Sequence, residues 1–373
     1  MIIAIITSVF VMLNLIFKKN KFLFILLMFW MWIIMSFTVG IADEQIYISR
    51  YTHPDLWNGS TEFFYSLIIR ICNSFGLNFL QFKMLITFIQ LSLIYSTVWK
   101  YSRYPNIVAC LYMVYPFSLN VAQMRNALAV SVFIYSIRFL LEKDSDIILK
   151  PNFTKNDIKY IVSIFIASSI HFASILWIVL ILAKKISLRS SIIFTFFVNL
   201  FIIYVLTPNT ILSLLSITGS RDRLGSYLTL EYQHSEWRHL GSSLIQVLVT
   251  AIIVISICMY IYKKNTFLER DQILLLAKMH VLILIIVGLI IRYTTEVYRL
   301  QEGLMVITIM IITNSFNPEY FIKNKVSIYY LKVFCTLVVV LLGIAYLSIG
   351  LYLLPTIVYP ILNNNIFINY LFY

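Results

Sequence analysis

The strongest constraint on this chain is a set of uninterrupted apolar runs: Phe22 to Ala42, Leu244 to Tyr262, Ile273 to Ile291 and Val333 to Leu354. Each is close to the roughly 20 residues that a helix needs to cross a hydrocarbon core about 30 Å thick. Lipid offers backbone groups no partner, so such runs must close their hydrogen bonds internally as helices. Composition agrees, since only 12% of residues are charged, about half the share of a soluble domain. The chain therefore reads as an all-α polytopic membrane protein with about eleven transmembrane segments, forming a single integral membrane domain over residues 1–373. The segment Ile2 to Phe17 lacks a basic leader and a small-residue cleavage site, and Lys18, Lys19 and Lys21 follow it. It reads as a retained anchor.

The formal charge of +13 is a matter of topology. A nucleic-acid binder would gather its Lys and Arg on a soluble face, and no soluble domain is visible. Basic connections hold Lys18 to Lys21, Lys100 and Arg103, Lys143 to Lys159, Lys184 to Arg189, Lys263 to Arg270 and Lys323 to Lys332. The positive-inside rule makes them cytoplasmic. The remaining connections face outward: Asp43 to Glu62, the turn around Arg125, Thr218 to His239, and Thr294 to Arg299. One stretch conflicts with this count. Lys143 to Lys159 and Lys184 to Arg189 both belong inside, yet a single apolar run, Tyr160 to Ala183, separates them. Two readings stay open: a re-entrant hairpin with its tip near His171, allowed where irregular backbone lines a protein cavity, or one helix with a local violation of the charge rule.

Residues 43–78 read as an outer loop with an interfacial helix, because Glu62, Ser66, Arg70 and Asn73 recur at helical spacing opposite Phe63, Phe64, Leu67, Ile68 and Ile71. Residues 218–240 read as an outer loop or lid in which Arg221, Arg223 and Arg238 alternate with Tyr227, Tyr232 and Trp237. Arginine suits bidentate phosphate contacts, and aromatic faces suit sugar or lipid. The same pattern also fits an ordinary interfacial belt. HSEWRH lacks the HExxH register of a zinc site, and Cys72, Cys110, Cys258 and Cys335 stand singly, so no metal site is expected.

Ionisable groups in a bilayer cost about 2.5 to 3.5 kcal/mol each, so those retained need a partner or a function. On this topology several lie on the outer side. Asp43 and Glu44 end a long apolar run, with Tyr47 one turn on; Arg125 lies in NVAQMRN; His171 lies in SSIHFAS. Arg292, Glu296 and Arg299 fall at i, i+4, i+7, so one helix edge would present all three. Bland readings stand beside these: a helix-end ion network for the trio, snorkelling for Arg125, a core histidine for His171, and a solvated helix end for Asp43 and Glu44.

The order GIADEQIY, EFFYSLI, QMRNALAVS, IHFAS and VYRLQE resembles the Wzy/EpsG family of bacterial polysaccharide polymerases, from about Asp43 to Arg299. The resemblance implies a GT-C-like fold and a metal-independent glycosyltransferase of the bacterial cytoplasmic membrane, with no cofactor. Such a protein would join undecaprenyl-diphosphate-linked oligosaccharides into O-antigen, capsule or exopolysaccharide on the outer face, alongside a flippase and a chain-length regulator. It implies Arg125 and Arg299 near the diphosphate and matches His171 and Asp43 to the family's histidine and early acid; Arg292 is placed with the diphosphate from its spacing to Arg299. Asn126 stands where the family often has Gln, and Asp43 lies one residue further from Gly40 than in the usual Gly-x-Asp spacing.

The chemistry is attack by a sugar hydroxyl on an anomeric carbon with a lipid diphosphate leaving. Arginines would stabilise the developing charge in a dry cleft. His171, Asp43 or Glu62 would take the acceptor proton; Tyr47, Arg221, Arg223, Tyr232 and Trp237 would contact the glycan. Related transferases, an O-antigen ligase or a polyprenyl-phosphate-sugar-dependent enzyme, remain alternatives. So does a flippase or transporter, although the inverted repeat and midplane site common in transporters are not evident.

Overall fold

A computed structural model describes residues 2–57, 61–142, 153–207, 237–264, 270–316, 326–350 and 353–372. These residues are almost entirely helical, with one isolated bridge, Thr38 to Asn365, among them. The single domain expected from sequence is built of two compact units. One holds Met1–Leu56, Tyr65–Arg138 and Met305–Tyr373; the other holds Trp57–Phe64 and Phe139–Leu304.

Among the described residues, five helices are long and apolar enough to cross a membrane: Phe79–Tyr101, Met124–Leu141, Leu240–Lys263, Arg270–Arg292 and Tyr329–Gly350. The eleven runs counted in the sequence exceed this number because several break into shorter helices. The run from Phe22 ends as a 17-residue helix at Phe37, where Thr38 turns extended. Pro105–Val114 and Phe117–Ala122 are two short helices. Large apolar side chains such as Phe29, Phe88, Phe165, Phe196, Phe197 and Val339 stand exposed on these helices. Apolar surface on that scale suits lipid and not water.

In the first unit, α1 (Ile2–Ile16) packs on α2 (Lys21–Phe37), which packs on a later helix, Phe79–Tyr101. Buried amides lock this end: Asn106 donates to Asn14 at 2.7 Å, and Asn20 caps α2 by accepting from Leu23. After α2 come α3 (Glu44–Thr52), α4 (Phe63–Ser74) and α5 (Phe79–Tyr101). Asn78 and Gln81 start α5 with a reciprocal capping box. The C-terminal segment pins the turn before α3. Val39 N–H donates to Asn364, Ala42 N–H to Thr356, and the Asn365 amide to Ile33. Gly40 sits in that turn at φ +73°, a left-handed conformation that glycine adopts without strain.

The helix expected at the interface is α4. It buries Tyr65, Ser66, Ile69 and Cys72 and exposes Phe63, Leu67 and Ile71. Phe63, Leu67 and Ile71 thus stand on the exposed side with Arg70, while Ser66 packs inward.

The chain continues through α6 (Pro105–Val114), α7 (Phe117–Ala122) and α8 (Met124–Leu141). In the second unit, α9 (Lys155–Ile170) starts with a capping box between Thr154 and Asp157. His171 turns extended (φ −141°, ψ 110°), a 3-10 helix runs from Phe172 to Ile181, and α10 (Leu182–Lys185) closes the segment. A straight helix would hold Asp157 and Lys185 about 42 Å apart. They instead pair at 2.6 Å, and the Tyr160 hydroxyl donates to the Trp177 carbonyl at 2.7 Å. The run Tyr160 to Ala183 thus folds back on itself at His171. The remaining long helices of this unit are α11 (Leu188–Tyr204), α12 (Trp237–Lys264) and α13 (Arg270–Leu282), followed by α14 (Ile286–Arg292) and α15 (Arg299–Gly303).

Candidate functional site

The fold-back creates a site at its tip. Ala167, Ser168 and Ser169 lead into His171, whose extended backbone ends the α-helical ladder. Glu62 meets this break from 109 residues away in sequence. Its Oε1 lies 3.3 Å from His171 Nδ1 and accepts the Phe172 N–H at 3.2 Å. A carboxylate at the start of the return limb also answers the positive end of that helix. Because the carboxylate accepts, the proton of a neutral imidazole sits on Nδ1, and Nε2 is the basic nitrogen. The side chains of Glu62 and His171 are 9% and 19% exposed, so the pair is largely shielded yet reachable.

The base of the hairpin is an ion cluster. Asp157 is fully buried, 2.6 Å from Lys185 and 3.9 Å from Lys184. Burial alone would push its carboxyl up, but the Lys185 and Thr154 hydrogen bonds and the charges of both lysines hold it below the usual range.

Arg299 is tied to the hairpin through its neighbour. Trp177, fully buried on the return limb, donates its indole N–H to the Leu300 carbonyl at 3.0 Å. Gly303 packs so closely there that a Cβ would stand 2.6 Å from the Trp177 ring. Arg299 pairs with Glu296 at 2.5 Å and keeps 27% of its side chain exposed. The expected shared edge of Arg292, Glu296 and Arg299 is corrected by the structure. The helix α14 ends at Arg292, Thr294 turns extended and caps Glu296 with its own hydroxyl, and a 3-10 turn follows. Arg292 is exposed on the far side of this break. Hence Glu296 and Arg299 form an i,i+3 pair across the 3-10 turn into α15.

The first unit holds the other expected residues. Arg125 stands in the first turn of α8, half-buried between buried Gln123 and Asn126, with the Asn126 amide donating to Gln123 at 3.0 Å. The guanidinium thus stands at the positive end of a long helix dipole. Asp43 is exposed at φ +64°, just before α3, and makes no side-chain cap; Tyr47 lies one turn on, its N–H donating to the Asp43 carbonyl. Glu44 is the buried acid here. It pairs with Lys83 of α5 at 3.2 Å and accepts the Gly40 N–H at 2.5 Å. Lys83 escaped the sequence reading, though a lone lysine inside FLQFKMLITFIQ carries the same insertion cost as the residues singled out.

Arg221, Arg223 and Tyr232 of the expected lid lie outside the described residues, as does most of 218–240; Trp237 opens α12, and its side chain lies outside them too. Among the described residues, no three His, Cys, Asp or Glu side chains form a metal-holding group.

Compared with known proteins, the chain matches the family model described as the EpsG family over residues 21–370. No curated protein and no solved structure matches it.

Proposed function

We propose, from the premise that this chain belongs to the EpsG family, that it is a membrane glycosyltransferase polymerising lipid-diphosphate-linked oligosaccharides into a bacterial surface polysaccharide. The observation that carries the proposal is the Glu62–His171 pair at the tip of the hairpin. In this reading the hairpin is re-entrant, the fold is GT-C-like, and the site opens to the outer face of the cytoplasmic membrane. The substrate is an undecaprenyl-diphosphate-linked repeat unit that enters sideways from the bilayer.

Glu62 orients His171 and stabilises its imidazolium. His171 Nε2 takes the proton of the acceptor hydroxyl as its oxygen bonds to the donor's anomeric carbon. The anomeric carbon–oxygen bond breaks at the same time, and the lipid diphosphate leaves with the electron pair. Arg299, always charged, answers the charge gathering on the leaving phosphate. Glu296 holds the guanidinium in place until the substrate arrives. In the first unit, Arg125 at the start of α8 supplies an anion-binding end of its own, exposed Asp43 offers a polar group to glycan, and half-buried Tyr47 stands one turn on. Arg292, Arg221, Arg223, Tyr232 and Trp237 are the further contacts this reading assigns to diphosphate and glycan.

The test is the chain length of surface polysaccharide in a deletion strain carrying wild type, His171→Ala, Glu62→Gln or Arg299→Ala at matched membrane levels. A ladder restored by wild type alone, with the variants giving single repeat units on the lipid carrier, supports polymerisation. Loss of every surface unit in the deletion strain would move the function to a flippase or a ligase.

A further inference from the structure

A cleft in the first unit is not used by the chemistry above. Its volume is about 340 Å³, at the low end for small-molecule sites. Ile48, Phe79 and Leu80 give it apolar walls, and Glu44, Gln45 and Lys83 are its polar groups. The Lys83 and Glu44 side chains are 5% and 8% exposed. A buried pair of charges in an apolar helix bundle is costly to keep and is not by itself a source of stability. Among the described residues the pair is also incompletely used. Lys83 Nζ donates to the Thr38 carbonyl at 2.5 Å and to Glu44 Oε1 at 3.2 Å, while Glu44 Oε2 accepts the Gly40 N–H at 2.5 Å. An ammonium carries three donors and a carboxylate about four lone-pair sites. One donor and about two acceptor sites therefore remain on two side chains that line the cleft.

The remaining sites set the ligand chemistry. Their net charge is zero, so an anion would face Glu44 and a cation would face Lys83, each without compensation. A hydroxyl both donates and accepts, which matches what the pair has left. Phe79 adds an aromatic wall of the kind that packs against the C–H face of a sugar. We propose that this cleft is a subsite for one uncharged sugar ring, whose hydroxyls bond to Glu44 and Lys83 and whose apolar face packs on Phe79. The proposal deepens the polymerase reading and rests on it for the expectation that glycan is the ligand.

The experiment is saturation-transfer NMR on the full chain in nanodiscs. The probes are the methyl glycosides of glucose, galactose and N-acetylglucosamine, with inorganic pyrophosphate as competitor. We expect at least one glycoside to receive saturation, pyrophosphate to leave it in place, and Leu80→Trp or Ile48→Trp to weaken binding at least tenfold. These substitutions fill the cleft and leave the ion pair intact, and a melting temperature within a few degrees of wild type qualifies the variant used. Glu44→Gln, offered alongside, should weaken binding but also removes half of a buried pair. Absence of glycoside binding, binding untouched by the filling variant, or displacement by pyrophosphate overturns the subsite. Chain growth on the same preparation separates the two ideas. Glycoside binding without chain growth sinks the polymerase and leaves the subsite, whereas chain growth without glycoside binding does the reverse.

Discussion

The two units each bury a glutamate against a nitrogen, and the partner makes the difference. Glu44 and Glu62 are both 7% exposed, so burial does not distinguish them. Glu44 faces a lysine, a residue type whose ordinary pKa lies far above neutrality, and the pair lines an apolar-walled cleft with little exposure of its own. Glu62 faces a histidine, the one side chain built to exchange its proton in that range, at a break in a helix and partly open. The first arrangement holds a shape and presents hydrogen bonds; the second is the one the proposed function asks to move a proton. A carboxylate in an apolar protein thus takes its role from its neighbour's pKa class and its access.

The widest gap between the two pairs should appear in rate. His171→Ala should lower the rate of chain extension by about 10²- to 10⁴-fold, the range for a general base, with folding unchanged in a thermal melt. An unaltered rate would remove the distinction drawn here. Lys83→Met should act on stability, costing about 3 to 5 kcal/mol because Glu44 is left buried and alone. The double variant Lys83→Met/Glu44→Leu should regain most of it, as read by unfolding in detergent. Arg299→Ala should cost about 10² to 10³ in turnover, and Arg299→Lys should restore little of it where two-point phosphate contact is needed.

Smaller effects test the frame around the pairs. Gly303→Ala would drive a methyl into the buried Trp177 ring and should destabilise by about 1 to 3 kcal/mol, loosening the Arg299 segment with it. Asp157→Asn should show its whole effect near neutrality and less of it in acid. The Asp157 carboxyl is held below its ordinary range, so its contribution is present above the usual value of about 3.9 and is lost as pH falls through the lowered folded value. Wild type should therefore lose stability on acidification below about pH 4, and Asp157→Asn should flatten that loss in melts across the range.

The helical character of the chain was legible because twenty-residue apolar runs leave the backbone one choice. The helix α4 was legible from spacing, and the conflict around Tyr160 to Ala183 from the charges at its ends. What spacing misjudged was continuity. Arg292, Glu296 and Arg299 share an edge only if the helix persists, and Thr294 interrupts it through a capping hydroxyl that periodicity does not weigh. Asp43 and Glu44 were adjacent acids with nothing local to rank them; Lys83, 39 residues on, ranks them by pairing with Glu44. The Glu62–His171 contact spans 109 residues, and no local pattern announces a pairing at that range.

The fold-back at His171 also bears on how such a chain can change over generations. On the proposed re-entrant reading, the segment enters and leaves the membrane on one side, so it leaves the parity of everything downstream untouched. Lengthening, shortening or replacing the piece between Asp157 and Lys185 reshapes the tip without turning α11 and its successors inside out. Adding or deleting a single-pass helix would, by contrast, change that parity. The chain therefore keeps its proposed acid–base group on a part that can be remodelled for new acceptors while its orientation is conserved.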